Sequence, residues 1–156
     1  MTDGDVHRDY EISSDPARLD LDAIHGYLVR SYWSPGIPRD VVERAVRHSL
    51  CFGAYSRADG AQVGFTRVVT DHATFAYLCD VYVLEAHQGR GLGKAMMQAA
   101  SSHPALADAR RVMLATRDAH GLYRQFGFGD TTGNLNLMEI VRPDIYSRHA
   151  SAVPRR

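Results

Sequence analysis

The chain has few of the features that mark secreted or membrane proteins. Its 156 residues include two cysteines, Cys51 and Cys79, which are too few for a disulfide framework. Both lie in apolar, strand-like surroundings, so we expect reduced core residues in a cytoplasmic protein. No apolar run approaches the length of a membrane span, and the N-terminal MTDGDVHRDY is too polar for a signal peptide.

An excess of one charge is also missing. The 18 basic and 18 acidic residues give a formal net charge of zero, so we expect neither a nucleic-acid nor a membrane partner. Lys94 is the only lysine. Hydrophobic residues at 45% and charged residues at 23% are ordinary globular values. Residues 1–156 are therefore expected to form a single domain with short polar tails at both ends.

What the chain does have is a buried strand that leads through a glycine-rich turn into a helix. Residues 75–84 are almost continuously apolar, which predicts a central strand. Residues 88–94 read Gln-Gly-Arg-Gly-Leu-Gly-Lys, and a helix of small residues is predicted from Ala95 to about Ser102. Such a turn directs free backbone N–H groups and the positive end of the helix dipole at one point. It therefore predicts a phosphate or pyrophosphate site.

Two common phosphate-binding motifs do not fit this turn. A Walker loop needs Gly at position 88 and Ser or Thr after the lysine, whereas the chain has Gln88 and Ala95. A dinucleotide fingerprint needs a third glycine where the chain has Lys94 or Met96. The pattern that remains is Gln-x-x-Gly-x-Gly, from Gln88 to Gly93.

This pattern resembles the signature of the GNAT superfamily of acyl-CoA-dependent N-acyltransferases, Gln/Arg-x-x-Gly-x-Gly/Ala after the fourth strand. A second block, AHGLYRQFGF at 119–128, is close to that family's A-x-x-L-Y-x-x-x-G-F and follows at the expected distance. The resemblance covers about residues 50–130. It implies acetyl-CoA as co-substrate, no metal, and a GNAT-like sheet with helices on both faces.

The order of predicted elements leads to the same fold class. Helices are predicted at 21–31, 38–48 and 119–126, and strands at 8–13, 50–55, 62–70, 75–84, 111–116 and 134–141. Residues 1–7 are expected to be a loose tail. An antiparallel meander followed by a strand–helix–strand crossover makes an α/β (α+β) domain. Its central sheet is mixed and mostly antiparallel.

The resemblance also implies where acetyl-CoA binds. Backbone amides of the turn would hold the pyrophosphate, and the turn consists of Gln88, Gly89, Arg90, Gly91, Leu92, Gly93 and Lys94. The backbone of Val81, Tyr82 and Val83 would pair with the pantetheine arm, and one N–H there would polarise the thioester oxygen. Alternatively, the glycines only make a tight turn without a ligand.

Tyr123 matches the family's tyrosine beside the CoA sulfur. A phenol with a pKa of about 10 can protonate a leaving thiolate whose pKa is about 8.5, so the resemblance implies that Tyr123 is the catalytic acid. Alternatively, Tyr123 packs on the apolar cluster of Leu122, Phe126 and Phe128.

Several groups compete for the role of base. Many family members place a glutamate on the fourth strand where this chain has Tyr77. Asp80 is the only carboxylate inside the apolar run, and burial there would suit it to accept a proton. Alternatively, Asp80 orders a neighbouring backbone or arginine, or binds the substrate ammonium. His120 is the competing base or a helix-start or wall residue, and water is the third candidate.

Substrate recognition is expected from the loop that begins at Tyr32 and from the strands facing it. The candidate wall residues are Tyr32, Trp33, Arg67, Asp80, Tyr82 and Arg117. Arg67 could grip a substrate carboxylate at two points, or it could form an ion pair with Asp80 and bind no ligand. The aromatic loop is alternatively part of the core or a homodimer contact.

The predicted function is transfer of an acetyl group from acetyl-CoA to a primary amine of a small molecule, such as an amino acid or an amine-like metabolite. Neither cysteine belongs to a motif, so direct transfer in a ternary complex is expected. One alternative is acetylation of a protein or peptide amine. Another is a non-catalytic acyl-CoA sensor, which the missing glutamate would support.

Overall fold

A computed structural model describes residues 3–131 and 137–151. Its helices are α1 (Asp3–Asp9), α2 (Leu21–Leu28), α3 (Arg39–Arg47), α4 (Leu92–Ser102), α5 (Pro104–Ala107), α6 (His120–Arg124) and α7 (Ile145–Ser151). Its strands are β1 (Tyr10–Ser13), β2 (Leu50–Ser56), β3 (Gln62–Thr70), β4 (Phe75–Val83) and β5 (Arg111–Leu114). Within the described ranges, no helix combines the length and hydropathy that crossing a bilayer requires.

The strands form one five-stranded sheet in the order β1-β2-β3-β4-β5. The first three pairings are antiparallel, and β4 pairs with β5 in parallel. The parallel pair needs a crossover, which α4 and α5 supply. This topology confirms the predicted mixed, mostly antiparallel sheet.

Apolar side chains cover the sheet on both faces. On one face, α2 and α3 place Ile24, Leu28 and Val42 against Phe65 of β3. On the other face, α4 and α5 pack on β2, β3 and β4 through a cluster that includes Phe52, Val68, Leu78, Met97 and Leu106. Each fully buried side chain of this size contributes about 1.5–3 kcal/mol. The predicted helices on both faces are thus confirmed.

Helix α4 begins three residues before the predicted start at Ala95. Gly91 has a φ of 78°, a left-handed conformation that glycine adopts at little cost, and serves as the N-cap of α4. The Gly91 carbonyl accepts the first helical hydrogen bond, from Ala95 N at 3.0 Å. The last part of the glycine-rich turn is therefore the first turn of the helix.

Two predictions at the ends of the chain were wrong over the described residues. Residues 3–7 belong to helix α1 rather than a loose tail, because Val6 is buried against Leu92 and Met96. Of the predicted strand at 134–141, residues 134–136 lie outside the described part. Residues 137–141 form no strand, and their apolar side chains are exposed. Alternating polarity predicts which side chains share a face, but a strand also needs a hydrogen-bonded neighbour.

Candidate functional site

The site lies where β4 and β5 separate. Their parallel pairing runs from Phe75–Arg111 to Leu78–Leu114, whereas β4 continues to Val83. On the side of β4 that faces β5, the backbone of residues 79–83 has no strand partner among the described residues. An open strand edge of this kind can pair with an extended ligand.

A β-bulge at Asp80 reverses the alternation of β4. Asp80 has a φ of 53°, and the register with β3 shifts between the Arg67–Cys79 and Phe65–Tyr82 pairs. Because the bulge adds one residue, Leu78 and Tyr82 lie on opposite faces of the sheet. Leu78 packs in the cluster beneath α4 and α5 (the α4 cluster), and Tyr82 packs in the cluster beneath α2 and α3 (the α2 cluster). A left-handed backbone at a residue with a side chain costs about 1–3 kcal/mol, so surrounding contacts must hold it.

Two donors hold the Asp80 carboxylate. Arg67 Nε donates to Oδ2 at 2.7 Å, and Trp33 Nε1 donates to Oδ1 at 2.9 Å. Arg67 also donates from Nη1 to Ser49 Oγ at 3.1 Å. The Arg67 and Asp80 side chains are only 18% and 8% exposed. This hydrogen-bonded chain therefore ties the bulge to β3 and to the aromatic loop.

We expect Asp80→Asn to destabilise the fold, because it leaves the largely buried Arg67 guanidinium without its counter-charge. Removing one partner of a buried pair costs about 3–5 kcal/mol, and the solvent that still reaches Arg67 favours the low end. Urea denaturation of Asp80→Asn, Arg67→Gln and the double variant measures the coupling. The double variant should lose clearly less stability than the sum of the two single losses.

The exposed Arg18–Glu11 pair, at 2.7 Å, provides a matched control. Its double-mutant cycle should give losses that are close to additive, because solvent screens an exposed pair. Strictly additive losses at Arg67 and Asp80 would contradict the structural role of the buried pair.

The open edge of β4 forms one side of a cleft of about 690 Å³. The predicted site residues that line this cleft are Tyr32, Trp33, Asp80, Val81, Tyr82, Val83, Gln88, Gly89, Gly91, Leu92, Gly93 and Tyr123. The predicted site residues outside its lining are Arg67, Arg90, Lys94, Arg117 and His120. His120 instead borders a neighbouring groove of about 330 Å³, which shares Tyr123 with the cleft.

One end of the cleft is the N-terminus of α4. The Gln88 side chain donates from Nε2 to Val83 O at 2.9 Å and closes the turn. No side chain caps α4, so its first-turn N–H groups remain available to a ligand. A Cβ at Gly89 would meet nothing within 4 Å, and one at Gly93 would meet only Leu122, at 3.9 Å. This open, amide-lined space suits a phosphate group.

Tyr123 lies further along the cleft, on α6. It is 8% exposed, and its ring contacts Phe128 edge to face, with centroids 5.9 Å apart. Burial, and secondly the neighbouring Tyr32 phenol, raise the pKa of Tyr123. The phenol therefore stays protonated at neutral pH and can act as a proton donor.

Cys79 also lines the cleft, where its side chain is a protonated thiol and not a thiolate. Burial raises the pKa of Cys79 to about 11, and Sγ donates to Arg67 O at 3.5 Å. Burial likewise raises the pKa of Cys51 to about 12. Since the thiolate is the nucleophilic form, neither cysteine is prepared for covalent catalysis at neutral pH.

Sequence reasoning missed several residues of the cleft, among them Tyr27, Tyr77, His87, Thr116, Asp118 and Leu122. His87 directly precedes the glycine-rich motif, and this proximity was an available signal. Tyr27 had none, because only the packing of α2 on the sheet brings it onto Tyr82, with ring centroids 3.7 Å apart. Among the described residues, no group of three or more His, Cys, Asp or Glu side chains could hold a metal ion.

Known proteins with related sequences and folds share this architecture. The family profile described as "Acetyltransferase (GNAT) domain" matches residues 47–129. A Gibberella zeae protein with acetyltransferase in its name is 40% identical in an alignment of 137 residues that covers 74% of this chain and 76% of that protein. The crystal structure of a GNAT-family protein from Xanthomonas campestris pv. campestris is 48% identical, with a TM-score of 0.83 over 88% of this chain and 96% of that one.

A more distant structure shows the same fold. Glucosamine-6-phosphate N-acetyltransferase from Arabidopsis thaliana is 13% identical, with a TM-score of 0.59 over 83% of this chain and 97% of that one. At this identity the likeness concerns the fold alone. The family profile, the sequence relative and the crystal structure at 48% identity all point to one family, and the chain belongs to the GNAT acetyltransferase family.

Proposed function

We propose that this GNAT protein transfers an acetyl group from acetyl-CoA to a primary amine of a small molecule, by direct transfer within a ternary complex. The observation that carries the proposal is one continuous cleft. It joins the uncapped N-terminus of α4, the unpaired edge of β4, and Tyr123.

The cleft offers acetyl-CoA two kinds of backbone contact. The first-turn amides of α4, beginning at Leu92 and Gly93, would hold the pyrophosphate, with Arg90 and Lys94 adding positive charge from outside the lining. The open backbone of Val81, Tyr82 and Val83 would pair with the pantetheine arm. When bound there, the thioester supplies an activated acetyl group.

Side chains further along the cleft supply the proton chemistry. Tyr123 donates its phenolic proton to the departing sulfur, and a backbone N–H of the β4 edge stabilises the negative charge on the carbonyl oxygen. Each Asp80 oxygen already accepts one hydrogen bond and keeps a second lone pair for the substrate ammonium. We therefore propose that the amine proton passes to Asp80 or to water. His120 borders the neighbouring groove, and we assign it to the wall behind Tyr123.

The proposal is tested by isothermal titration with acetyl-CoA together with a thiol-reagent assay of CoA release over a panel of amines, amino acids and lysine-containing peptides. We expect saturable acetyl-CoA binding and CoA release that depends on a small amine. Acetyl-CoA binding without release on any acceptor would instead support the sensor. Release with peptides alone would support the protein acetyltransferase.

A further inference from the structure

We infer that the acceptor is an arylalkylamine, meaning a primary ammonium on a short chain that ends in an aromatic ring and carries no α-carboxylate. This inference rests on the proposed function and narrows the substrate to one chemical class. The acceptor would lie against an aromatic wall formed by Tyr27, Tyr32, Trp33 and Tyr82, with its ammonium directed to Asp80.

The wall is a continuous set of aromatic contacts along the cleft. Tyr27 stacks on Tyr82 with an interplanar angle of 10°, and its ring centroid lies 6.2 Å from that of Trp33. Trp33 in turn meets Tyr32 edge to face at 5.0 Å. Tyr32 and Trp33 are 58% and 37% exposed, so both present ring surface that a ligand can cover. Rings of this kind pair with a further aromatic ring at centroid distances of about 4.5–7 Å.

One hydrogen bond and one cation–π contact hold Trp33 and Tyr32 of the wall in place before a ligand arrives. Trp33 Nε1 donates to Asp80 Oδ1, which fixes the indole ring next to the carboxylate. The Arg117 guanidinium lies over the Tyr32 ring, 3.9 Å from its centroid. A wall whose rotamers are already fixed loses less conformational entropy when it binds a rigid aromatic ligand.

The charges of the cleft select against a carboxylate on the acceptor. None of the described residues that line it is an arginine or a lysine, and the carboxylates of Asp80 and Asp118 are part of the lining. Arg67 is outside the lining and uses its donors on Asp80 and Ser49. Arg117 is also outside the lining, and its guanidinium is stacked over the Tyr32 ring. Beside Asp80, a substrate carboxylate would therefore lose its water without gaining a cationic partner from the lining, which is unfavourable.

The same surroundings favour an ammonium group. Indole and phenol faces attract a cation through their quadrupole, and the free lone pairs on Asp80 can accept its N–H groups. The structure does not support the two-point grip of Arg67 on a substrate carboxylate, because its Nε and Nη1 donate to Asp80 and Ser49 and it lies outside the cleft. Among the predicted acceptors, amino acids are therefore less suitable than amines without a carboxylate.

Trp33 is the only tryptophan of the chain, so its fluorescence reports binding at this wall without any need for turnover. Full-length protein is titrated at pH 7, with excitation selective for tryptophan, using 2-phenylethylamine, phenylalanine and hexylamine. Phenylalanine adds only the carboxylate to the first compound, and hexylamine replaces the ring. We expect 2-phenylethylamine to bind at least tenfold more tightly than either of the other two.

Variants locate the binding. Tyr32→Ala should weaken 2-phenylethylamine at least fivefold and change hexylamine much less. Phe75→Ala removes another exposed aromatic side chain, which does not line the cleft, so it should change neither. Tighter or equal binding of phenylalanine or hexylamine overturns the inference. The absence of any Trp33 response to 2-phenylethylamine at 10 mM, roughly ten times the upper end of typical KM values, also overturns it.

Failure of the proposed function is distinguishable from failure of this inference. If acetyl-CoA gives no heat of binding, the acetyl-transfer assignment fails, whatever Trp33 reports. If acetyl-CoA binds and CoA is released mainly with phenylalanine or hexylamine, the transferase assignment stands and the arylalkylamine inference is overturned.

Discussion

Gly93→Glu should reduce acetyl-CoA affinity at least 100-fold while leaving the fold intact. The new side chain would occupy the space at the N-terminus of α4 and bring a negative charge to the place where the pyrophosphate needs amides. The fold should tolerate it, because a Cβ at Gly93 meets only Leu122, at 3.9 Å. Glutamate also has a higher helix propensity than glycine. Isothermal titration and a thermal melt measure the two quantities separately.

Gly26→Glu is the matched control for this substitution. Gly26 is also a helical glycine, a Cβ at this position would meet nothing within 4 Å, and the residue does not line the cleft. We expect unchanged acetyl-CoA affinity for this variant. Gly91 is a poorer test, because its φ of 78° and the Val6 methyl at 3.2 Å would add strain unrelated to the ligand. Near-normal affinity in Gly93→Glu would move the coenzyme away from this turn.

Tyr123→Phe should lower kcat by about 100- to 10,000-fold, the usual range for losing a general acid, and change acetyl-CoA affinity less than about threefold. The substitution keeps the buried ring and its contact with Phe128 and removes only the hydroxyl. A loss in kcat without a loss of affinity separates the acid role from simple packing. Steady-state kinetics and isothermal titration provide the two numbers.

The pH dependence gives Tyr123 a second test. Because burial raises the pKa of Tyr123, the proton donor is present through neutral and mildly alkaline pH and is lost only when the pH rises past that raised pKa. The wild-type kcat should therefore fall only above a pH of about 10, the ordinary pKa of a phenol. Tyr123→Phe should lack this alkaline fall.

Tyr146→Phe is a suitable control, because Tyr146 is also partly buried but packs against the α2 cluster, away from the cleft. Its kcat should stay within twofold of the wild type. A Tyr123→Phe enzyme as active as the wild type would leave Tyr123 with the packing role alone.

Most of the fold could be predicted from local patterns. β3 has the predicted bounds, and β2, β4 and β5 differ from their predictions by one or two residues at their ends. Strands of this kind carry their own signal, since apolar runs bounded by turn residues leave few alternatives. The helix at Asp3–Asp9 carried no such signal, because Val6 is buried only by contact with residues far along the chain.

The candidate site was less predictable, and Asp80 shows why. The pattern placed Asp80 inside a regular strand and left open whether its carboxylate accepts a proton, orders a neighbouring backbone or arginine, or binds the substrate ammonium. The bulge at a φ of 53° turns Asp80 towards Arg67 and Trp33, each of which donates to one carboxylate oxygen. A bulge depends on the register between two strands, and no window of a single strand contains that information.

The phosphate turn could be predicted from the chain alone, because an amide-lined turn is a local structure whose residues are neighbours in sequence. The role of Tyr123 was implied by the resemblance of the second motif. The aromatic wall could not, since Tyr27, Trp33 and Tyr82 come from a helix, a loop and a strand that meet only when α2 packs on the sheet. Local chemistry thus predicted a phosphate or pyrophosphate site, and the resemblance of the two motifs implied acetyl-CoA. The surroundings of the acceptor amine follow from long-range packing, which brings side chains together regardless of their separation along the chain.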